Sequence, residues 1–388
     1  MATWHHELAD IVAAISTDYR RVHVFSLEDV SPFHEVDEFM MLLMDENPWD
    51  TLLRLDSPWL VCISEIMQLV LDDIITFPDL DSEMNDKLRR RCLAGIKKIA
   101  RYKDILPPRI FIRTLKREGK NPVAGGGYAD IWKGSAEDKT VCIKVLRVFL
   151  SDLDRQNLFK SFVNEVLIWQ QLRHPNILLL LGINVEEFYP SFTLISPWLA
   201  QGNILEFLET NPNHDRIHSL VQVSEGLVYL HERTPSVVHG DIRAANILVK
   251  DDGVCCLADF GIAVFAEMQV SWSASSTSSI RGAVRWLAPE LLHPEYKPKP
   301  SITRDIYSFG CTIYEIYTQK PPFAHISNDL VVRSEILAGS RPSRPGDLEN
   351  PIPESVWDLA QKCWLHEPSS RPTIKSVLDT LTDGQTHL

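Results

Sequence analysis

The feature that most constrains this chain is HGDIRAAN at residues 239–246, followed by ADFG at 258–261. Asp241 and Asn246 stand five positions apart, and Asp259 lies eighteen positions beyond Asp241. Between them, ILV at 247–249 and VCCLA at 254–258 read as two short strands. Two carboxylates and an amide in this order form a specific chemical set. One carboxylate can orient an attacking hydroxyl, while the amide and the second carboxylate hold a divalent cation on phosphate oxygens. Either motif alone is a weak signal.

Upstream, VAGGGYADIWKG at 123–134 is a glycine-rich turn between β-like alternations. Glycine has no Cβ, so backbone N–H groups there can approach phosphate oxygens closely. VCIK at 141–144 ends a second alternating run on Lys144, and a helical pattern over 157–173 carries Glu165 before HPNI. Downstream come Ala288-Pro289-Glu290, DIYSFG at 305–310 and HEPSSRPT, which contains Arg371.

In this order the motifs resemble a eukaryotic protein kinase of the tyrosine-kinase-like group, over about residues 119–382. The resemblance implies ATP and Mg²⁺ as cofactors and protein substrates as partners. It implies that Asp241 is the base or hydroxyl-orienting residue and that Arg243 neutralises γ-phosphate charge where serine/threonine kinases carry lysine. Lys144 would bind the α- and β-phosphates, fixed by an ion pair with Glu165. Asn246 and Asp259 would hold Mg²⁺. Val123, Gly125, Gly126 and Gly127 would form the phosphate-covering loop. Ile131, Cys142 and Leu248 would sandwich adenine, Ser196 would be the gatekeeper, and the Leu199 backbone would hydrogen-bond the base. His239, Phe260 and Trp169 would stack in the interior. Glu290 would pair with Arg371, and Asp305 would bind the catalytic-loop backbone.

Three departures stand out. Two of the family's three loop glycines fall on Ala124 and Ala129. His239-Gly240-Asp241 lacks the arginine that receives an activation-loop phosphate, the non-RD pattern, so activity should depend less on loop phosphorylation. Ala283 stands where serine/threonine kinases carry a threonine. DIRAAN and VRWLAPE read like tyrosine-kinase wording, whereas HGDI, ILLLLGI and the C-W…P…R-P-T ending read like the tyrosine-kinase-like group, which favours serine and threonine. Tyrosine or dual specificity, and a nucleotide-binding pseudokinase scaffold, remain the alternatives.

The expected fold class is α+β: a bilobal kinase fold, with a small β-rich lobe and a larger helical one, preceded by an all-α segment. The expected boundaries are 1–105 for a helical, regulatory or interaction region, 106–118 for a linker closed by Pro107-Pro108, and 119–382 for the kinase domain. Within that domain, 119–198 is the N-lobe and 199–382 the C-lobe; 383–388 is a tail. Leu8, Ile11, Val12 and Ile15 recur at one-face spacing, as do Leu60, Ile63, Met67, Val70 and Leu71, and then Leu88, Cys92, Ile96 and Ile99.

Charge excludes one class of partner. With 39 basic and 52 acidic side chains the chain carries −13, which disfavours nucleic-acid binding. Residues 1–86 hold three basic and 19 acidic side chains, and residues 87–109 hold nine basic and one acidic. The basic stretch therefore invites docking on the acidic one, within the chain or in a partner. Seven scattered cysteines without metal-site spacing read as reduced thiols, pointing to the cytoplasm with the nucleus not excluded. The N-terminus lacks a secretory pattern, and runs such as ILLLLGI at 177–183 are too short for a membrane span.

Overall fold

A computed structural model describes residues 43, 48–77, 80–125, 129–147, 162–163, 165–189, 191–259, 283–293, 301–346 and 348–385. The chain divides into two compact units. One comprises Met1–Arg113 with Phe159–Gln171, and the other Thr114–Leu158 with Leu172–Leu388. The division groups the segment carrying Glu165 with the N-terminal helices. The helix expected around Leu8–Ile15 lies outside the described residues.

In the first unit, helix α1 spans Ser57–Leu71 and helix α2 spans Ser82–Lys103. Pro58 sits in the first turn of α1, where its missing N–H would have had no intrahelical acceptor. Asp81 caps α2 by accepting from the Met84 N–H at 2.8 Å, and Asp104 closes it in the left-handed region. The stripes expected from spacing are the buried ones: Leu60, Ile63, Met67, Val70 and Leu71 on α1, and Leu88, Cys92, Ile96 and Ile99 on α2. Each fully buried side chain of this size contributes about 1.5–3 kcal/mol relative to exposure. Two members of the basic stretch meet acidic groups from before it. Arg89 pairs with Asp73, and Arg109 pairs with Glu65 at 3.0 Å and Asp72 at 3.1 Å. Residues 165–169 are helical, with Val166, Leu167 and Trp169 buried.

The second unit begins with strands β1 Leu115–Arg117, β2 Ala124–Gly125, β3 Ala129–Ala136, β4 Lys139–Leu146, β5 Gly182–Asn184 and β6 Phe192–Pro197. They form one antiparallel sheet in the order β1-β3-β4-β6-β5, with β2 also on β3. Glu137 and Asp138 link β3 to β4 with φ of 47° and 61°. Two central residues in that region match the twist of the flanking strands. On β4, Val141, Ile143 and Val145 are buried, while Cys142 and Lys144 alternate onto the other face.

The rest of this unit is mainly helical. A two-stranded ribbon, β7 Ile247–Val249 with β8 Cys255–Leu257, follows helices α3 Ile204–Thr210 and α4 Arg216–His231. Asn203 and Glu206 form a reciprocal capping box at α3. The longer helices that follow are α5 Ile302–Thr318, α6 Asp329–Leu337, α7 Glu354–Cys363 and α8 Ile374–Gln385. Helix α5 is the interior helix, with Tyr307, Phe309, Ile313 and Ile316 buried. Gly226 on α4 permits a close approach, since a Cβ there would lie 2.8 Å from the Asn176 carbonyl oxygen.

Candidate active site

The sheet register collects one group of expected site residues. Ile131 pairs with Lys144, Lys144 with Leu194, and Cys142 with Ser196. Directly paired residues share a face, so Ile131, Cys142, Lys144 and Ser196 line the same face of the sheet. The chain leaves β6 with the Trp198 N–H donating to the Thr140 carbonyl at 3.3 Å. It then bends so that the Gly202 N–H reaches the Leu199 carbonyl at 3.3 Å. The Gly202 carbonyl in turn accepts from Val249, and Asn203 bridges Leu248. The β7 edge carrying Leu248 is thereby tied to the segment carrying Leu199. Val123 is exposed and Gly125 lies on β2, whereas Gly126, Gly127 and Phe260 lie outside the described residues.

Burial pushes the Cys142 thiol up to about 11, with Asp259 adding to the effect and Lys144 and Ser196 opposing it. At neutral pH it is a small apolar group with a weak donor rather than a nucleophile. All seven cysteines are free.

The second group forms around the loop at 239–246. Asp305 of α5, fully buried, accepts from the His239 N–H at 2.9 Å and the Gly240 N–H at 2.8 Å, and bonds His231 at 2.9 Å. Partners hold its carboxyl below the usual range even though burial, the largest influence, pushes the other way. Gly240 has φ of +86°, a conformation that glycine adopts without steric penalty. The position that carries arginine in the commoner motif is therefore both without a side chain and shaped for glycine. Asn246 donates from Nδ2 to the Asp241 carbonyl and to its Oδ2, each at 2.8 Å. Arg243 Nε stands 3.3 Å from Asp241 Oδ2, an ion pair rather than an aligned hydrogen bond. Burial holds His239 below the ordinary imidazole range, so it is neutral.

Asp259 joins this group through the backbone, because the Ala258 N–H donates to the Asn246 carbonyl at 2.9 Å. Its carboxylate forms an ion pair with Lys144. Asp259 has φ of +69°, in the sparsely populated left-handed region. Lys144, Asp241, Arg243, Asn246 and Asp259 all belong to the second unit. Glu165 belongs to the first, where it is half-buried and acts electrostatically on Lys97 of α2. Burial is the main influence on Lys97 and pushes its ammonium down, and Glu165 pulls it back up.

The donor set fits a hard cation. Asp259 and Asn246 offer only oxygen ligands, and Mg²⁺ binds through one or two protein oxygens together with substrate phosphates. Among the described residues no group of three His, Cys, Asp or Glu side chains could hold a metal ion. The face bearing Ile131 and Cys142, with Lys144 beside them, likewise suits a purine followed by phosphates.

Structural supports expected from the sequence are present. Arg371 grips Glu290 bidentately, Nη1 to Oε1 and Nη2 to Oε2, both at 2.7 Å. One participant was not expected. Glu315, 5% exposed, accepts from the Ala244 N–H at 2.8 Å and the Trp286 indole N–H at 2.9 Å. Its signal in the sequence is a polar stripe on an apolar helix: Asp305, Ser308, Thr312 and Glu315 recur every three or four residues.

Sheet, ribbon, interior helix and carboxylate–amide cluster together define a kinase domain, with a curled β-sheet part and a helical part. Residues 118–381 match the family described as protein tyrosine and serine/threonine kinase, and the chain belongs to that family. Relatives include Serine/threonine-protein kinase STY17 of Arabidopsis thaliana, 27% identical over 276 residues, covering 70% of this chain and 45% of that protein. Serine/threonine-protein kinase STY46 of the same plant is 27% identical, covering 67% and 43%. Serine/threonine-protein kinase CTR1, also of Arabidopsis thaliana, is 28% identical, covering 68% and 31%. The chain spans less than half the length of these curated relatives. Among the described residues no helix is long and apolar enough to cross a membrane.

Proposed function

We propose that the chain is an ATP- and Mg²⁺-dependent protein kinase that phosphorylates serine or threonine hydroxyls of proteins, in cytoplasmic signal transduction. The observation that carries this reading is the assembly of Asp241, Arg243 and Asn246 on one loop, backbone-tied to Asp259, which pairs with Lys144. The names of the relatives support serine/threonine specificity. Free cysteines throughout support a reducing compartment.

In this reading Asp241 orients the protein hydroxyl and takes its proton as the oxygen bonds the γ-phosphorus. The bond from that phosphorus to the β–γ bridging oxygen breaks, leaving ADP. Arg243 lies beside Asp241, where its guanidinium would offset charge on the transferring group. Lys144 would hold the α- and β-phosphates, with Glu165 as its ion-pair partner. Asn246 and Asp259 would hold Mg²⁺, which when bound neutralises phosphate charge. Val123, Gly125, Gly126 and Gly127 would cover the phosphates. Ile131, Cys142, Leu248, Ser196 and Leu199 would receive adenine. The kinase domain is taken as 119–382.

Residues 1–105 would act on it from within the chain. This is supported by the grouping of Phe159–Gln171 with the N-terminal helices and by the electrostatic reach of Glu165 to Lys97. Radiolabelled ATP/Mg²⁺ autophosphorylation with phosphoamino-acid analysis tests the central reading. Label on serine or threonine that vanishes in Asp241→Asn supports it. Label on tyrosine alone corrects the specificity, and a folded chain that never labels itself or a substrate rejects the activity.

A further inference from the structure

Helix α5 grips two functional segments along one stripe. Asp305 holds the backbone N–H groups of His239 and Gly240, and Thr312 Oγ1 donates to the Ile242 carbonyl at 3.2 Å. Ser308 Oγ donates to the Trp286 carbonyl at 2.8 Å. Glu315 completes the stripe by touching both segments with one oxygen: its Oε2 accepts from Ala244, in the turn between Arg243 and Asn246, and from the Trp286 indole. The two donors lie 42 residues apart in the chain, and a single buried carboxylate joins them.

Gly240 offers no cation that a loop phosphate could bind, so the tie that arginine gives the commoner motif is missing at this position. We propose that Glu315 is a positioning residue for the phosphoryl transfer, an internal anionic brace that fixes the Asp241–Asn246 loop against the Val284–Trp286 turn without phosphorylation. The inference rests on the kinase reading above and adds to it how this site is kept in register. Hydrogen bonds to an ionised acceptor are roughly twice as strong as those to a neutral one. The brace is therefore firm only when Glu315 is charged.

That condition makes the brace sensitive to pH. Burial pushes the Glu315 carboxyl up to about 7, and Asp241 adds to the rise. The Ala244 and Trp286 donors and the Arg243 guanidinium pull it down. On its own helix Glu315 acts on Cys311, whose thiol burial pushes up to about 12, and burial also raises the Tyr314 and Tyr317 phenols, so all three stay neutral. Arg285, next to Trp286, is turned to the Pro322, Phe323 and Ile326 carbonyls and to Asp329. The brace should be half formed near pH 7, approach completion about one pH unit above it and weaken as Glu315 takes up a proton below it.

The test uses the phosphatase-treated full chain and Glu315→Gln, which keeps the shape and one acceptor oxygen but loses the charge. The readouts are kcat and KM for ATP with casein as substrate between pH 6 and 8.5, and amide hydrogen exchange of residues 241–246 and 284–287. At pH 8 the variant should lose at least about tenfold in kcat with KM for ATP nearly unchanged, because loop misplacement affects the chemical step. The wild type should show an acidic limb near pH 7 that the variant lacks, and both segments should exchange faster in the variant. Trp286→Phe removes one donor, so its effect and that of Glu315→Gln should be clearly less than additive. Wild-type kcat in Glu315→Gln, or an acidic limb that survives it, overturns the brace. If the wild type transfers no phosphate, the kinase reading fails, and the exchange measurement decides alone. Unchanged protection of both segments in Glu315→Gln then overturns the inference, and faster exchange in both sustains it.

Discussion

The Lys144 ammonium is ion-paired with the Asp259 carboxylate, so the cation and the anion expected to meet the phosphates from two sides meet each other. Asp259 is also held at a φ of +69°. Asparagine tolerates that region as well as aspartate does, so Asp259→Asn should leave the backbone in place. It removes the charge that would bind Mg²⁺ and loosens Lys144. Turnover should fall on the order of a hundredfold or more, the usual scale for losing one preorganised electrostatic group. Titrating phosphate transfer against Mg²⁺, with a thermal melt alongside, checks both halves. Full turnover in a folded variant would remove Asp259 from the metal site.

Arg371 and Glu290 illustrate a different kind of residue, one that supports without reacting. The Arg371 side chain is fully buried and bidentate to Glu290, with further bonds to the Leu365, His366 and Thr303 carbonyls. Arg371→Ala strands the Glu290 carboxylate and three acceptors. Breaking a buried pair by removing one partner costs about 3–5 kcal/mol. Urea unfolding should show a loss on that scale, and a midpoint within error of wild type would contradict it.

Both of these pairs involve residues that stand in recognisable motifs. Lys144, Asp241, Asn246 and Asp259 are legible in the sequence because their chemistry needs fixed residue types at fixed spacings. The α1 and α2 stripes are legible because the burial period is the helical period. Glu315 is harder to read, because the polar stripe of Asp305, Ser308, Thr312 and Glu315 looks like a solvated helix face until partner segments cover it. Lys97 is part of a basic run that reads as an exposed face. Nothing in its spacing says that it is half-buried or that Glu165 lies within its field.

That neighbour makes Lys97 a testable control point. Burial opposes its charge and the Glu165 carboxylate sustains it. If Glu165 is the residue that fixes Lys144 for ATP, Lys97 competes for the same carboxylate. Lys97→Met keeps the length of the side chain and removes the competition. Activity measured as kcat/KM for ATP should rise about fivefold or more, the lower range for coupling between sites. The exposed Lys103→Met serves as the control and should match wild type. No change in Lys97→Met would reject competition between Lys97 and Lys144 for the Glu165 carboxylate.

Glu315 should also leave a mark on stability, opposite in direction to its mark on activity. Its folded-state carboxyl is raised to about 7 from 4.5, chiefly by burial. The folded chain therefore holds this proton more tightly than the unfolded chain, and protonation favours folding. Above pH 7 both states are ionised, and the buried charge carries its full desolvation penalty. As pH falls from 7 to 4.5 the penalty is relieved, and below 4.5 no further gain remains. Other groups titrate in the same window, so the informative quantity is the difference between wild type and Glu315→Gln. Relative to the glutamine variant, wild type should gain stability between pH 7.5 and 5, read from urea midpoints at matched ionic strength. A difference that stays flat across that interval would mean that the Glu315 carboxyl titrates as an ordinary exposed glutamate.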